Sequence, residues 1–456
     1  MKEEPLTCNY SEKSFVRDVT YLGSEPSASH HHNDVTGKGF KHLTPTNEAL
    51  EAVMQEVPRR VIAVETVPLL SALGRILSHD LMSPSDIPPF DRAAMDGFAV
   101  RAEDTYGASA GSPILLNSIG GVGIGVVPTV SVRKGDAAFV VTGGGMPQGA
   151  NAVVMVEYAK QMRNGSVEVS GEVHPAENVS RIGEDVRKGT VVLKEGMRLL
   201  PQDIGMLSYL GFTEVSVKRR LKIGVLSTGN EIEEKLGSKS GKVPDVNRPI
   251  LISAVRELGC EPIDLGIAQD EFSEIQDKLE GALETSDLIL VTAGTSVGPG
   301  DMVPRVIDSL GKPGMLVHGV AMRPSMPTGL AVVNGKPIVS LPGYPVSAYL
   351  AFLEFVPSLV SHLLGTYLLP RPVVEARLRR RVAGVLGSRT YVRVQVAESG
   401  GNLFADPVRT SGAGILSSLV QANGFLIVPE HVEGHEEGET VEVELFRPVE
   451  REQAGK

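Results

Sequence analysis

The sequence predicts a multidomain chain of α/β plus β class. A three-layer α/β domain with a parallel-type sheet is flanked by an N-terminal mostly β domain, a mixed linker domain and a small C-terminal β-barrel. Three observations predict it. The chain has 456 residues, too many for one ordinary core and enough for roughly three or four domains. From Leu221 to about Leu364, strand-like apolar runs alternate with amphipathic helical stretches, the pattern of a parallel sheet covered on both faces. On either side the texture turns to short alternating pieces broken by glycine and proline, which reads as β structure.

Taken in chain order, the first forty residues are polar and aperiodic, and a disordered extension is expected there. His30, His31 and His32 stand together in it; a tag-like run is favoured over a metal site. A helix is expected to begin near Thr46, capped by that residue, with Ala49, Leu50, Val53 and Met54 on one face. From Arg75 to about residue 180 the β texture dominates, as in DAAFVVTGGG (136–145) and SVEVSGEVH (166–174). Residues 201–211 return to a helical pattern that Gly211 ends.

Within the α/β region, KIGVLS (222–227) reads as a buried strand. A helix over Ile250–Leu258 follows, with Asn247 as its N-cap and Gly259 as its stop. PIDLGI (262–267) is the second strand. Phe272, Ile275, Leu279 and Leu283 recur at helical spacing. Leu288–Thr292 is the third strand, and PIVSLP (337–342) feeds a long helix starting near Val346. The apolar stretch from Tyr349 to Leu369 includes Glu354, Pro357 and His362, so a buried amphipathic helix explains it better than a membrane span. YVRVQV (391–396), GFLIVPE (424–430) and TVEVELF (440–446) predict the C-terminal barrel or sandwich.

Composition narrows the function classes. A formal net charge of −11 argues against a nucleic-acid or anionic-membrane surface. Two cysteines, Cys8 and Cys260, are too few for a disulfide framework or a thiolate metal site. With no secretory signal at the N-terminus, a cytoplasmic setting is expected.

In an open parallel sheet, ligands bind outside the carboxyl ends of the strands. After KIGVLS come Thr228, Gly229, Asn230 and Glu231. After PIDLGI comes Asp270. After Leu288–Thr292 comes a small-residue loop with Gly294, Thr295, Ser296, Gly298 and Gly300, closing on Asp301. PIVSLP, which ends in Pro342, leads into Gly343, Tyr344 and Ser347. Three carboxylates thus converge on one rim beside a phosphate-cradling loop, an arrangement that suits Mg²⁺. Singly, Asp270 and Asp301 also read as helix caps and Glu231 as a solvated loop residue.

A second group lies in the β region. SDIPPFDRAAMDGFAV (85–100) places Asp91 and Asp96 around a small-residue turn; Asp-Gly is also a common hairpin signal. NVSRIGEDVRKG (178–189) sets Glu184 and Asp185 among Arg181 and Arg187, which by itself reads as a surface loop with weak ion pairs.

These segments together resemble the molybdopterin molybdenumtransferase family, which includes bacterial molybdenum-cofactor insertion enzymes and the E domain of gephyrin. The markers are PPFDRAAMDGFAV (88–100), VTGGGMPQGANAVV (141–154), GEDV (183–186), STGNEI (227–232), DVNR (245–248), TSVGPGD (295–301), MRPSMP (322–327) and LPGYPVSA (341–348). The resemblance covers about residues 44 to 447. Beyond the polar extension over 1–40, it implies an elongated mixed domain from 41–85 with 181–219, and a β domain over 86–180. A molybdopterin-binding α/β domain over 220–367 and a barrel over 368–456 complete it.

The resemblance further implies an enzyme that takes adenylylated molybdopterin and molybdate, releases AMP with Mg²⁺, and leaves molybdenum on the dithiolene. Glu231, Asp270 and Asp301 match its metal-handling acids; Asp96, Asp185 and Thr142 match positions from other domains. On this basis the site reading outweighs the turn and ion-pair readings of MDGF and GEDV. The TSVG amides (Thr295, Ser296, Gly298) and Gly294 match a pterin-phosphate cradle. Thr228, Gly229, Arg323, Pro342, Gly343, Ser347 and Arg393 match substrate-binding positions. Family members are homodimers, which implies a cleft between two subunits and, as further partners, the adenylyltransferase and molybdoenzyme chaperones.

The chain departs from the family pattern in four places. A usual KPGKP reads RPSMP, with Arg323 and Met326 for two lysines; GGVSVGE reads AGTSVGPGD; PGNP reads PGYP, with Tyr344; and Asn151 stands for a common Asp. A tungstate-inserting paralogue, an adenylyltransferase and a non-catalytic dimeric scaffold of the same fold are the alternatives.

Overall fold

The computed structural model describes residues 42–58, 62–234, 241–292, 302–367, 370–409 and 412–451. The histidine run 30–32, Cys8, the expected extension over 1–40, and the loop residues Gly294, Thr295, Ser296, Gly298 and Asp301 lie outside them.

The six helices that matter here are α1 (Thr46–Glu56), α2 (Pro201–Tyr209), α3 (Asn247–Glu257), α4 (Phe272–Thr285), α5 (Val303–Leu310) and α6 (Pro345–Leu364). Helix α1 turns Ala49 and Val53 inward, the i, i+4 spacing expected of one helix face. Thr46 does not cap it: Pro45 takes that position, no side chain bonds the helix amides, and Thr46 is buried in the first turn. The sequence grouped α1 with the mixed domain. Its apolar face instead packs into the α/β core, among Val320, Leu330, Phe355 and Leu359.

The mixed domain joins two distant stretches of chain. Val64–Pro68 and Ile76–Leu77 both pair antiparallel with Glu214–Lys218. Leu69, Leu77, Leu199, Leu207 and Val217 form its core beneath α2. Gly211, at φ 86°, follows that helix in the left-handed conformation that suits glycine.

The β domain is a six-stranded sheet in the order Ala152–Met155, Gly97–Val100, Asp136–Val140, Ile114–Val122, Ser166–Val169, Ala159–Gln161. The Asp96-Gly97 pair therefore does not turn a two-strand hairpin. Gly97–Val100 pairs with the two strands on either side of it, whereas Arg92–Ala93 pairs with Val179–Ser180. Val154's carbonyl oxygen would lie 2.0 Å from a Cβ on Gly97, so glycine is what allows this close approach.

In the α/β domain the sheet order is Glu261–Ala268, Lys222–Thr228, Leu288–Thr292, Lys336–Leu341, Gly329–Val333, Pro313–His318. The first four strands run parallel and the last two form an antiparallel edge. Their fully buried Ile, Leu and Val residues fit a sheet covered on both faces. Helices α1, α3 and α6 contribute to the core on one face, and α4 and α5 to that on the other. Helix α6 is long and apolar enough by length and composition to cross a membrane, yet it buries Leu350, Phe352, Phe355, Val356 and Leu359 in the larger core.

In the C-terminal region, strands Arg389–Ser399, Asn402–Arg409, Val373–Leu378, Thr440–Leu445 and Gly424–Val428 pair in a ring that returns to the first. Closure leaves this five-stranded barrel without a free edge. The Met322–Arg323 strand of the α/β domain pairs in parallel with Arg389 and Thr390, coupling barrel and sheet.

Candidate active site

The parallel strands place their ends in register. Thr228 lies opposite Ala268, Ser227 opposite Thr292, and Thr292 opposite Leu341. Neighbouring strands are about 4.8 Å apart, so the residues that follow them share one rim. Thr228 is buried, and its hydroxyl donates to the Thr292 carbonyl at 3.3 Å. Gly229 follows at φ 147°, with the Glu231 carboxylate folded over it: both Glu231 oxygens would stand 2.9 Å from a Cβ at Gly229.

Across the rim, Asn230 and Asp270 bond each other reciprocally. The Asn230 main-chain amide donates to Asp270 Oδ2 at 3.2 Å, and the Asp270 main-chain amide donates to Asn230 Oδ1 at 3.1 Å. Asp270 is therefore tied to the neighbouring strand end. It does not cap α4, where Glu271 takes the N-cap position.

Asn247 opens α3 rather than capping it. Val246 takes the N-cap position without a side-chain cap, and just before it Asp245 Oδ1 accepts from the Arg248 amide at 3.1 Å. Asn247 instead donates through Nδ2 to the Gly343 carbonyl at 2.7 Å, fixing the turn after Leu341. Pro342 is buried, whereas Gly343 and Tyr344 are exposed.

The RPSMP turn meets the start of α6. The Ser325 hydroxyl donates to the Ser347 carbonyl at 2.7 Å, and both residues are buried. Ser325 holds φ at 112°, a left-handed conformation that favours glycine. Arg323, two residues before, is exposed. The barrel reaches the same place: the Val346 amide donates to Ala413 O at 3.1 Å, and the Tyr344 ring would lie 3.2 Å from a Cβ at Gly414. Arg393, by contrast, is 2 % exposed within the barrel.

The β-domain group is built separately. Asp96 Oδ1 accepts from the Thr142 amide at 2.6 Å and from its hydroxyl at 2.7 Å. Those two donors, the amide first, hold the Asp96 carboxyl below its ordinary range, because each favours the charged form. Asp91 knots three segments: its Oδ1 accepts from the Ile182 amide at 2.7 Å, and its main-chain oxygen from the Met146 amide at 2.9 Å. Asp185 is exposed, and its amide donates to Ile87 O at 3.0 Å. The expected ion pair beside it takes another form: the Glu184 carboxylate accepts from the Arg181 backbone amide at 2.9 Å.

Sequence reasoning missed the Asn230–Asp270 clamp, the Asn247–Gly343 tie and the knotting role of Asp91. Asn230 and Asp91 were visible as residues near strand ends and turns, but their partners lie 40 and 91 positions away. Among the described residues, no group of three or more His, Cys, Asp or Glu side chains is placed to hold a metal ion.

Comparison with known proteins covers the chain in order. Residues 44–211 match the MoeA N-terminal region (domains I and II), 224–362 a molybdopterin-binding domain, and 375–446 the MoeA C-terminal region (domain IV). A molybdopterin molybdenumtransferase of Bacillus subtilis is 33% identical over 389 residues, 84% of this chain and 90% of that protein. The chain belongs to the molybdopterin molybdenumtransferase family. A molybdopterin biosynthesis protein of Methanocaldococcus jannaschii is similar at 37% identity over 90% of this chain and its own full length. The solved structure of a molybdopterin biosynthesis MoeA protein from Pyrococcus horikoshii OT3 matches with a TM-score of 0.78 and 35% identity. It covers 89% of this chain and 100% of that one. Against the family pattern, RPSMP sets a serine in the left-handed position of a KPGKP glycine, and PGYP lays Tyr344 against the barrel loop.

Proposed function

We propose that this protein is a molybdopterin molybdenumtransferase: it takes adenylylated molybdopterin and molybdate, releases AMP and leaves molybdenum on the dithiolene. The observation that carries the reading is the match of the whole ordered set of family regions, from residue 44 to 446. Local chemistry supports it. Glu231 and Asp270 put oxygen donors on adjacent strand ends, the donor type Mg²⁺ takes when it shares one or two carboxylates with substrate phosphates. Glu231, Asp270 and Asp301 would hold that ion, which would offset repulsion between a phosphate and an incoming oxyanion.

The chain's own residues have assignable tasks. The Asn230–Asp270 clamp orients one acid before any ligand arrives. Asp96, kept ionised by Thr142, serves as a fixed acceptor, and Asp185 is a second exposed carboxylate of the same domain. Thr228, Gly229, Pro342, Gly343 and Ser347 shape the rim. Arg323 supplies positive charge for a phosphate or oxyanion, and Gly294, Thr295, Ser296 and Gly298 supply amides for the pterin phosphate. Arg393 acts on substrate only if the barrel opens, so a supporting part in the barrel suits it better.

Because the two acid groups stand in separate domains, we assign the complete site to a cytoplasmic homodimer, in which one subunit's β domain faces its partner's rim. The adenylyltransferase and molybdoenzyme chaperones are then the proteins that would hand on its substrate and product.

The test is incubation of purified protein with adenylylated molybdopterin, Mg²⁺ and either molybdate or tungstate, following AMP release. Release with molybdate is expected, and it should disappear in Asp270→Ala and Asp301→Ala proteins. No release with either anion sinks the enzyme reading and leaves a scaffold of the same fold; release with tungstate alone makes it a tungsten-inserting relative.

A further inference from the structure

A pocket of about 580 Å³ opens in the β domain, lined by Phe90, Val126, Val127, Met146 and Ile182, with Asp91 among its walls. That volume falls in the range of small-molecule sites, which are mostly apolar with a few convergent polar groups. The apolar walls are unusually open: Val127 is 81 % exposed, Val126 58 % and Phe90 50 %. Clustered apolar exposure of this kind marks a binding surface.

The floor is shaped for close approach. A Cβ on Gly145 would stand 3.1 Å from the Pro128 ring and 3.6 Å from Phe90, so glycine lets both rings settle near the backbone. The segments that supply Asp91, Met146 and Ile182 are those that carry Asp96, Thr142 and Asp185, and the Asp91 knot holds them together. Only Oδ1 of Asp91 is engaged by the Ile182 amide. Its second oxygen has no hydrogen bond among the described residues.

We propose that this pocket takes the pterin ring of the substrate, with Asp91 reading the edge that carries the 2-amino group and the adjacent ring N–H. A carboxylate is acceptor-only, and that edge offers two neighbouring donors. Adenine does not match it, because its amino group is flanked by acceptor nitrogens that a carboxylate repels. Phe90 and Met146 supply the aromatic and thioether surface that a flat heterocycle packs against. The inference rests on the transferase reading. It assigns the ring to the β domain and the phosphates to the α/β rim.

The test titrates free pterin and lumazine, in which a second carbonyl replaces the 2-amino group, against the full chain by fluorescence. The wild type is expected to prefer pterin by about tenfold or more, the discrimination a charged hydrogen bond gives. Asp91→Asn keeps an acceptor for the Ile182 amide but turns a donor toward the ligand, so the preference should vanish. Val126→Asp, at an exposed position, should weaken both ligands without disturbing the fold by circular dichroism. Absence of pterin binding, or unchanged preference in Asp91→Asn, overturns the proposal. AMP release run in parallel separates the two readings. A wild type that releases AMP while Asp91→Asn keeps its preference defeats the ring site alone. A wild type with the preference but no AMP release defeats the transferase reading alone.

Discussion

Asp96 and Ser325 show how single residues are set by partners far along the chain. Asp96 accepts two bonds from Thr142, so its folded midpoint lies below the ordinary value of 3.8. A depressed carboxylate contributes stability that is present above its unfolded midpoint and lost as pH falls through the folded one. Asp96 should therefore stay charged to a lower pH than a free side chain. Thr142→Val keeps the amide donor and removes the hydroxyl, and should move the midpoint up; carbon NMR titration of the Asp96 carboxyl would refute this by showing no rise. Ser325 combines a φ of 112° with a buried bond to Ser347. Ser325→Ala keeps the strain and loses the bond, costing about 1 kcal/mol. Ser325→Gly loses the same bond but regains about 1 kcal/mol of backbone freedom, so it should sit closer to wild type in urea unfolding. The reverse order would remove strain as the explanation.

At the scale of elements, the parallel sheet aligns its strand ends and the loops do the rest. The Asn230–Asp270 pair, with bonds of 3.2 and 3.1 Å, locks two adjacent ends. Asn230 is exposed and Asp270 half-buried, so replacing Asn230 by Ala should cost little stability, about 0.5–1 kcal/mol. The substitution keeps the main-chain donor to the Asp270 carboxylate and removes only the bond from the Asp270 main-chain amide to Asn230 Oδ1. The freed Asp270 backbone should still slow AMP release more than it costs stability, by about tenfold, because misplaced catalytic groups cost rate steeply. Equal losses in melting temperature and activity would show the clamp to be structural only. Cys260 illustrates the opposite case: burial pushes its thiol up to about 12, which makes it an inert core residue. It should resist alkylation in the native protein until unfolding, by mass spectrometry; rapid labelling would contradict that burial.

For the molecule as a whole, the decisive contact is where α6 meets the barrel. Glu354 of α6 accepts from the Arg389 guanidinium and the Tyr391 hydroxyl, and Arg389 also pairs with Glu430 at 3.0 Å. Burial, with Glu354 beside it, pushes the Tyr391 phenol well above its ordinary value. Arg389 keeps Glu430 while the buried Tyr391 hydroxyl loses its acceptor, so Glu354→Ala should destabilise the barrel's docking by about 1–3 kcal/mol, visible as earlier proteolytic release of the barrel. An unchanged cleavage pattern would mean the Met322–Arg323 strand alone suffices. The same barrel places Ala413 and Gly414 against the start of α6, so loosening it should also reach the rim.

The sequence by itself determined the alternation of strand and helix, and several strand bounds closely. Leu288–Thr292 is the same strand in both readings, and 222–227 extends by one residue to Thr228. It also placed Thr228, Glu231, Asp270 and Gly343 at strand ends, because apolar period and loop chemistry are local properties that a short window records. Only the tertiary structure decided that α1 packs on the α/β core, that Asn247 holds Gly343, and that Asp91 ties Met146 and Ile182. Each of the long-range ties joins residues about 50 to 100 positions apart. No local pattern encodes such a partner, since a hydrogen bond is specified by where two backbones meet in space rather than by either residue alone.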